Sequence, residues 1–309
     1  MADTAKEKLK LVSAISDKLY PRLKSCDICP RDCHVDRLAG QTGYCGANAD
    51  LRVYTAFLHQ GEEPGISEGA GSGAIFFSGC SLKCCYCQNW RFSHQPQGTI
   101  VTGEQLSAIM LKLQEKRAAN INLVTPTHFL PQILKSLALA FDRGLNLPIV
   151  YNTSGYEKSE IIEKLGGIVD VYLADLRYFD PDSAQKYSAA KNYPAINQAA
   201  IKAMYSQKKD QGLIIRHLAL PGHLEETRKI LNWLKKNTPQ AKISVMFQYQ
   251  PYYQAEKFTE INRRLTADEC HTVATMVDDL GLDGWVQEFN PDETLAGVHF
   301  QPTLDELLK

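Results

Sequence analysis

Little in this sequence points to a membrane, to a polyanion or to an oxidising compartment. No run of about 18 apolar residues occurs, so a spanning helix of ordinary length is not expected. Charge of neither sign is in surplus: 34 lysines and arginines against 35 aspartates and glutamates leave a net charge of −1. Such a chain has no field to draw nucleic acid or an anionic membrane, and neither is expected as a partner. The first residues, Met1-Ala2-Asp3-Thr4-Ala5-Lys6-Glu7-Lys8, lack the apolar core of a signal peptide. Without an export signal, nine cysteines argue for metal binding in a reducing cytoplasm rather than for disulfides. With 44% apolar and 22% charged residues, the 309-residue chain has the composition of a soluble globular protein. Its length suits one large α/β domain with a small appendage.

What the chain does have is two groups of thiols. The second organises the rest: Ser78-Gly79-Cys80-Ser81-Leu82-Lys83-Cys84-Cys85-Tyr86-Cys87-Gln88-Asn89 follows the apolar run Ala74-Ile75-Phe76-Phe77, which reads as a buried strand. Cys80, Cys84 and Cys87 stand in C-x3-C-x2-C spacing, enough to wrap one face of an iron–sulfur cube. A [4Fe–4S] cluster ordinarily takes four cysteines, so three leave one iron open for chemistry. A zinc knuckle completed by His94, or an electron-transfer cluster completed from elsewhere, are the structural alternatives. Zinc sites favour C-x2-C halves far apart in sequence. Cys85, next to Cys84, reads as a packed free thiol.

The first group is Cys26, Cys29, Cys33 and Cys45. Glycine turns at Gly40 and Gly43 let the chain double back so that Cys45 can close a four-thiolate site. A tetrahedral zinc and an auxiliary [4Fe–4S] cluster are both allowed by this ligand count; so small and loop-rich a module favours a structural zinc as its staple. A helix is expected over 3–24, from the stripe Leu9, Leu11, Val12, Ile15 and Leu19. The glycines Gly69, Gly71 and Gly73 precede a strand rather than open a helix, so they read as a turn and not as a dinucleotide loop.

Beyond the thiol loop, short apolar runs alternate with amphipathic stretches. Strands are expected at Ile121–Thr125, Pro148–Asn152, Val169–Ala174, Leu213–Leu218, Ile243–Gln248 and Gly284–Phe289. Helices are expected near 104–118, 131–143, 158–165, 183–207, 224–236 and 266–280. Six strand–helix repeats from Ala74 predict a parallel sheet with right-handed crossovers. Active groups in such sheets sit where strands end, and polar residues gather there: Thr125-Pro126-Thr127-His128, Asn152-Thr153-Ser154, Asp175-Leu176-Arg177, Arg216-His217 and Gln248-Tyr249-Gln250.

The thiol spacing, with Tyr86 before the last cysteine, resembles the signature of the radical S-adenosylmethionine (SAM) superfamily. Glu62-Glu63-Pro64, Phe76-Phe77-Ser78-Gly79-Cys80, Cys87-Gln88-Asn89 and Arg216-His217-x3-Pro221-Gly222-His223 look closer still to the pyruvate formate-lyase activating enzyme-like group. The resemblance implies a partial (β/α)6 barrel over residues 66–309, carrying a C-terminal extension and preceded by the helix and metal module of residues 1–65. It also implies a [4Fe–4S] cluster on Cys80, Cys84 and Cys87, whose open iron is chelated by the amino and carboxylate groups of SAM. One electron from a flavodoxin- or ferredoxin-type donor then gives a 5′-deoxyadenosyl radical, which abstracts hydrogen from a small-molecule or peptidyl substrate. Activation of a partner enzyme by a glycyl radical, and simple electron carriage, are the competing readings.

Residue by residue, the resemblance assigns Asn152 and Ser154 to the SAM ribose. Thr125 and Thr127 stand where the family usually shows Gly-Gly-Glu, so carbonyls or threonine hydroxyls would have to receive the SAM amino group. Asp175 and Arg177 match the Asp-x-Lys of the activases, with arginine for lysine, and Tyr86 lies in the cofactor loop. Arg216, inside a strand, needs an anion because an unpaired buried guanidinium is costly. The SAM carboxylate, Asp or Glu would serve. Arg177, Arg216 and His217 are the candidate catalytic residues, with Glu62, His128 and His223 as further candidate substrate contacts.

Overall fold

In the computed structural model, the described residues are 2–95, 97–209, 212–290 and 304–308. The strands are β1 (Arg52–His59), β2 (Ser72–Phe77), β3 (Thr99–Ile100), β4 (Ile121–Val124), β5 (Ile149–Thr153), β6 (Val171–Asp175), β7 (Leu213–Leu218), β8 (Lys242–Met246) and β9 (Gly284–Val286). They form one sheet of order β3-β1-β2-β4-β5-β6-β7-β8-β9. β1 runs antiparallel to both β2 and β3, and every pair from β2 to β9 is parallel. Among the described residues β3 and β9 remain the two free edges. The architecture is therefore an open, mostly parallel α/β sheet, as the strand–helix alternation predicts, and it is the partial barrel that the resemblance implies.

The helices are α1 (Ala2–Leu19), α2 (Trp90–Ser93), α3 (Gly103–Glu115), α4 (Leu130–Asp142), α5 (Ser159–Lys164), α6 (Pro181–Ser188), α7 (Tyr193–Lys208), α8 (Leu224–Asn237), α9 (Ala267–Leu280) and α10 (Asp305–Leu308). Strand alternation divides the side chains into two faces. Ile75, Leu123, Tyr151, Tyr172, Ile215 and Val245 join the large core beneath the helices. Val150, Leu173 and Ile214 form a smaller cluster on the inner face. Thr102 caps α3 through a reciprocal pair with Gln105 (3.2 and 2.8 Å), which satisfies backbone donors that the first turn leaves open.

Three expectations need correction. The single helix over 183–207 is two, because Ala189 takes a left-handed conformation (φ 52°) at the end of α6 and Pro194 opens the next helix. The first helix stops at Leu19 and tightens into a 3-10 turn over Tyr20–Ser25, since Pro21 cannot continue it. Arg52–His59, not singled out as a strand, pairs along the whole of β2.

Candidate functional site

The thiol loop leaves the C-terminal end of β2 and is fixed by its backbone. Ser78 N–H donates to Arg52 O (3.0 Å), Gly79 N–H to Phe92 O (2.8 Å), Cys80 N–H to Cys45 O (3.3 Å) and Cys85 N–H to Tyr187 O (2.8 Å). Gly79 sits at φ 88°, and a Cβ there would come within 2.6 Å of Cys45 O. Only glycine fits so close an approach in that conformation.

Donors converge on the three spaced sulfurs. Cys84 Sγ accepts from Arg177 Nη1 (3.1 Å) and Ser188 Oγ (2.9 Å). Cys80 Sγ accepts from Leu82 N–H (3.4 Å), and Cys87 Sγ lies 3.2 Å from Ser93 Oγ. Burial, with the neighbouring Cys84, pushes the thiol of Cys80 up to about 11 and that of Cys87 to about 12. Thiolates bunched there need a cation to offset burial and mutual repulsion, as an iron centre would. Among the described residues no three metal-ligating side chains form a preassembled ion site. The fit to a cluster rests instead on the sulfur donors and the spacing, and both suit it.

From Cys84 a chain of charged and amide groups crosses the strand ends. Arg177 Nη2 donates to Asp175 Oδ2 (2.6 Å), and Arg216 Nε to Asp175 Oδ1 (2.9 Å). Asp175 and Arg216 are register partners on β6 and β7. Arg216 Nη2 donates to Asn152 Oδ1 (2.8 Å), and Asn152 Nδ2 to Glu62 Oε2 (3.2 Å). Burial works against the Asp175 carboxylate, but the charges of Arg216 and Arg177 outweigh it and hold its pKa below the ordinary value. Arg216 thus finds its anions in Asp175 and Glu62.

The remaining sequence-derived candidates divide. Thr125, left-handed at φ 56°, sits beside this chain with its N–H on Asn152 O (2.8 Å). Ser154 is buried, and its carbonyl accepts from Tyr193 Oη (2.8 Å). Tyr86 packs edge-on against Tyr249, with its hydroxyl 2.5 Å from that of Tyr178. Thr127 turns away: its hydroxyl and that of Thr153 both donate to Glu157 Oε1 (2.5 Å each). His217 alternates to the helix-covered side of β7, with Nδ1 2.8 Å from Leu176 O and Nε2 3.0 Å from Thr227 Oγ1. Buried His128 holds Ser78 O through Nε2 (2.7 Å), beneath the loop rather than in its mouth. His223 lies outside the chain as well, between Tyr187 and Glu226.

Two participants escaped the reading of the sequence. Ser188 has no motif to mark it. Buried Glu157 lies three residues beyond Ser154, yet nothing local shows that it gathers Thr127, Tyr151 and Thr153.

Cys26, Cys29 and Cys45 are buried and Cys33 is half-buried. A Cβ at Gly43 would meet Cys33 Sγ at 3.1 Å and Cys45 Sγ at 3.6 Å, so two of these sulfurs border one point. Their loops are bound to the sheet's mouth. Arg31 donates to Ser81 O and Ala189 O (2.7 Å each), and Arg37 Nη1 to His128 O (2.6 Å).

The chain is similar in sequence to known proteins. The family model described as the radical SAM superfamily matches residues 74–234. An uncharacterised protein of Methanocaldococcus jannaschii is 36% identical over 84% of this chain and 76% of its own. A pyruvate formate-lyase-activating enzyme of Clostridium pasteurianum is 26% identical over 63% of this chain and 82% of its own. One from Listeria monocytogenes is 26% identical over 53% and 68%. The solved structure of native anSMEcpe with bound AdoMet aligns with 65% of this chain and 57% of its own at 12% identity, with a TM-score of 0.44. The family match spans half of the chain, over the strands that bear the thiol loop and the charged chain, and the protein belongs to the radical SAM superfamily.

Proposed function

We propose that Cys80, Cys84 and Cys87 hold a [4Fe–4S] cluster and that the protein is a radical SAM enzyme acting on a small-molecule or peptidyl substrate. The observation that carries this reading is Cys84. Its sulfur receives Arg177, the first link of a polar chain that runs over the strand ends to Asn152. Bound there, the cluster and SAM supply reductive cleavage of the sulfonium and abstraction of a hydrogen atom from substrate.

The residues around them orient and neutralise. Arg177 bridges Cys84 and Asp175, so its charge is shared between a cluster ligand and a carboxylate, and its planar fork fixes both. Asn152 and Ser154, at the end of β5, offer short polar groups for the ribose. Thr125, beside Asn152 at the end of β4, serves the amino group, and Tyr86 walls the loop. An external low-potential donor of flavodoxin or ferredoxin type completes the system.

The four cysteines of the module within residues 1–65 hold a second metal, which staples loops that a small apolar core would not order. Fastening of this module to Ser81 and Ala189 supports a mouth shaped for a small or peptidyl substrate.

The test is anaerobic reconstitution, followed by iron and sulfide analysis and by dithionite-driven release of 5′-deoxyadenosine from SAM. Release is the expected result. An intact cluster that neither binds nor cleaves SAM would reduce the protein to an electron carrier.

A further inference from the structure

The loop between β1 and β2 crosses the inner face of the sheet and touches most of its parallel strands. Ile66 packs on Val150, Leu173 and Ile214, and its carbonyl accepts from Asn120 Nδ2 (2.6 Å). Glu63 receives Ser244 Oγ of β8 (3.0 Å) and Trp285 Nε1 of β9 (2.7 Å). Glu62 Oε2 accepts from Asn122 Nδ2 of β4 (2.9 Å) and Asn152 Nδ2 of β5 (3.2 Å), while Oε1 lies 3.5 Å from Arg216 Nη1 of β7.

Glu62 stands at a junction. A carboxylate only accepts hydrogen bonds and a guanidinium only donates them. Asn152, held between Glu62 and Arg216, therefore has one allowed orientation: Nδ2 toward Glu62 and Oδ1 toward Arg216. Asp175 is already divided between two arginines, so Glu62 is also the second anion that Arg216 meets. Without it the amide of Asn152 is held from one side only, by Arg216, and one carboxylate faces two guanidiniums.

We propose that the β1–β2 loop is a built-in floor of the chamber and that Glu62 is a positioning residue, which fixes Asn152 and Arg216 for SAM from below. The proposal rests on the radical SAM reading given above. Its energetic basis is preorganisation: side chains already held in the binding orientation need not be ordered when the ligand arrives.

The test uses cluster-loaded full-length protein, with SAM dissociation constants measured by equilibrium binding. Glu62→Ala is expected to weaken SAM about ten-fold, or about 1.4 kcal/mol, with the iron content unchanged. Glu62→Gln, isosteric and without the charge, is expected to lie between Glu62→Ala and wild type, which guards against a folding defect in the alanine variant. The double variant Glu62→Ala/Asn152→Ala is expected to lose less SAM affinity than the two single losses combined, because Glu62 acts in part through Asn152 and in part through Arg216. A purely structural role would lower the unfolding temperature and leave that coupling at zero. SAM affinities of both single Glu62 variants equal to wild type, or additive losses in the double variant, would overturn the proposal. Wild-type protein that does not bind SAM would overturn the functional reading and this proposal with it.

Discussion

Cys84 and Cys85 are adjacent and chemically identical, yet their surroundings differ. Cys84 receives Arg177 and Ser188 at its sulfur. The Cys85 backbone is tied to Tyr187 and Gln254, and burial pushes its thiol up to about 12. Alanine at Cys80, Cys84 or Cys87 is expected to abolish formation of 5′-deoxyadenosine. Cys85→Ala is expected to leave it within about two-fold of wild type, since a packed small thiol tolerates alanine; equal loss in all four variants would refute the ligand assignment. Glu157 gives a second prediction. Burial outweighs its three hydroxyl donors and raises its pKa from 4.5 to about 7. Between those values the folded protein holds a proton that the unfolded chain has released, so stability falls as pH rises through this window, by about 3 kcal/mol in total. Glu157→Gln removes the titration. Its unfolding temperature is expected to gain on wild type by more at pH 8 than at pH 5, and a pH-independent difference would contradict this account. Nothing in the sequence around Glu157 announced the effect, because its donors Thr127 and Thr153 stand on different strand ends.

Elements show where local pattern suffices and where it fails. The run from Ala74 to Phe77 and the later strands were legible because buried parallel strands open on near-continuous apolar runs and carry their polar residues toward the C-terminal end. The break between α6 and α7 was not, since Ala189 has no intrinsic preference for the left-handed conformation it adopts. At Gly79 the turn out of β2 does have a residue-level mark. A Cβ there would press on Cys45 O at 2.6 Å, at φ 88°, so Gly79→Ala is expected to cost about 1–3 kcal/mol. It should also displace Cys80 or the first module. The measurement is iron per chain after reconstitution together with thermal unfolding, and a variant unchanged in both would show that the loop is slack.

At the scale of the whole molecule, the first cysteine module and the thiol loop are one construction. Cys80 N–H lies on Cys45 O, and Arg31 and Arg37 bind the module's turns to Ser81, Ala189 and His128. Cys29→Ser is expected to remove the second metal proposed for this module and, through these links, to lower the unfolding temperature, while the iron proposed for Cys80, Cys84 and Cys87 is retained. Metal analysis decides it. About four irons with one zinc per wild-type chain fit the structural staple, and about eight irons make the first site a second cluster. A metal content that does not change in Cys29→Ser would remove the second site altogether.

By itself the sequence determined what is set by spacing along the chain. The three thiols lie on one loop, the strand–helix alternation dictates a parallel sheet, and polar residues fall at strand ends. Tertiary structure decided which of those residues meet. Asp175 and Arg216 are opposed because β6 and β7 pair in that register, and Glu62 reaches both Asn152 and Arg216 from a hairpin loop far away in sequence. His217, next to Arg216, was turned to the helices by the two-residue period of its strand. Local spacing specifies what a loop can hold, whereas strand register and a crossing loop specify what faces it, and both depend on contacts between distant parts of the chain.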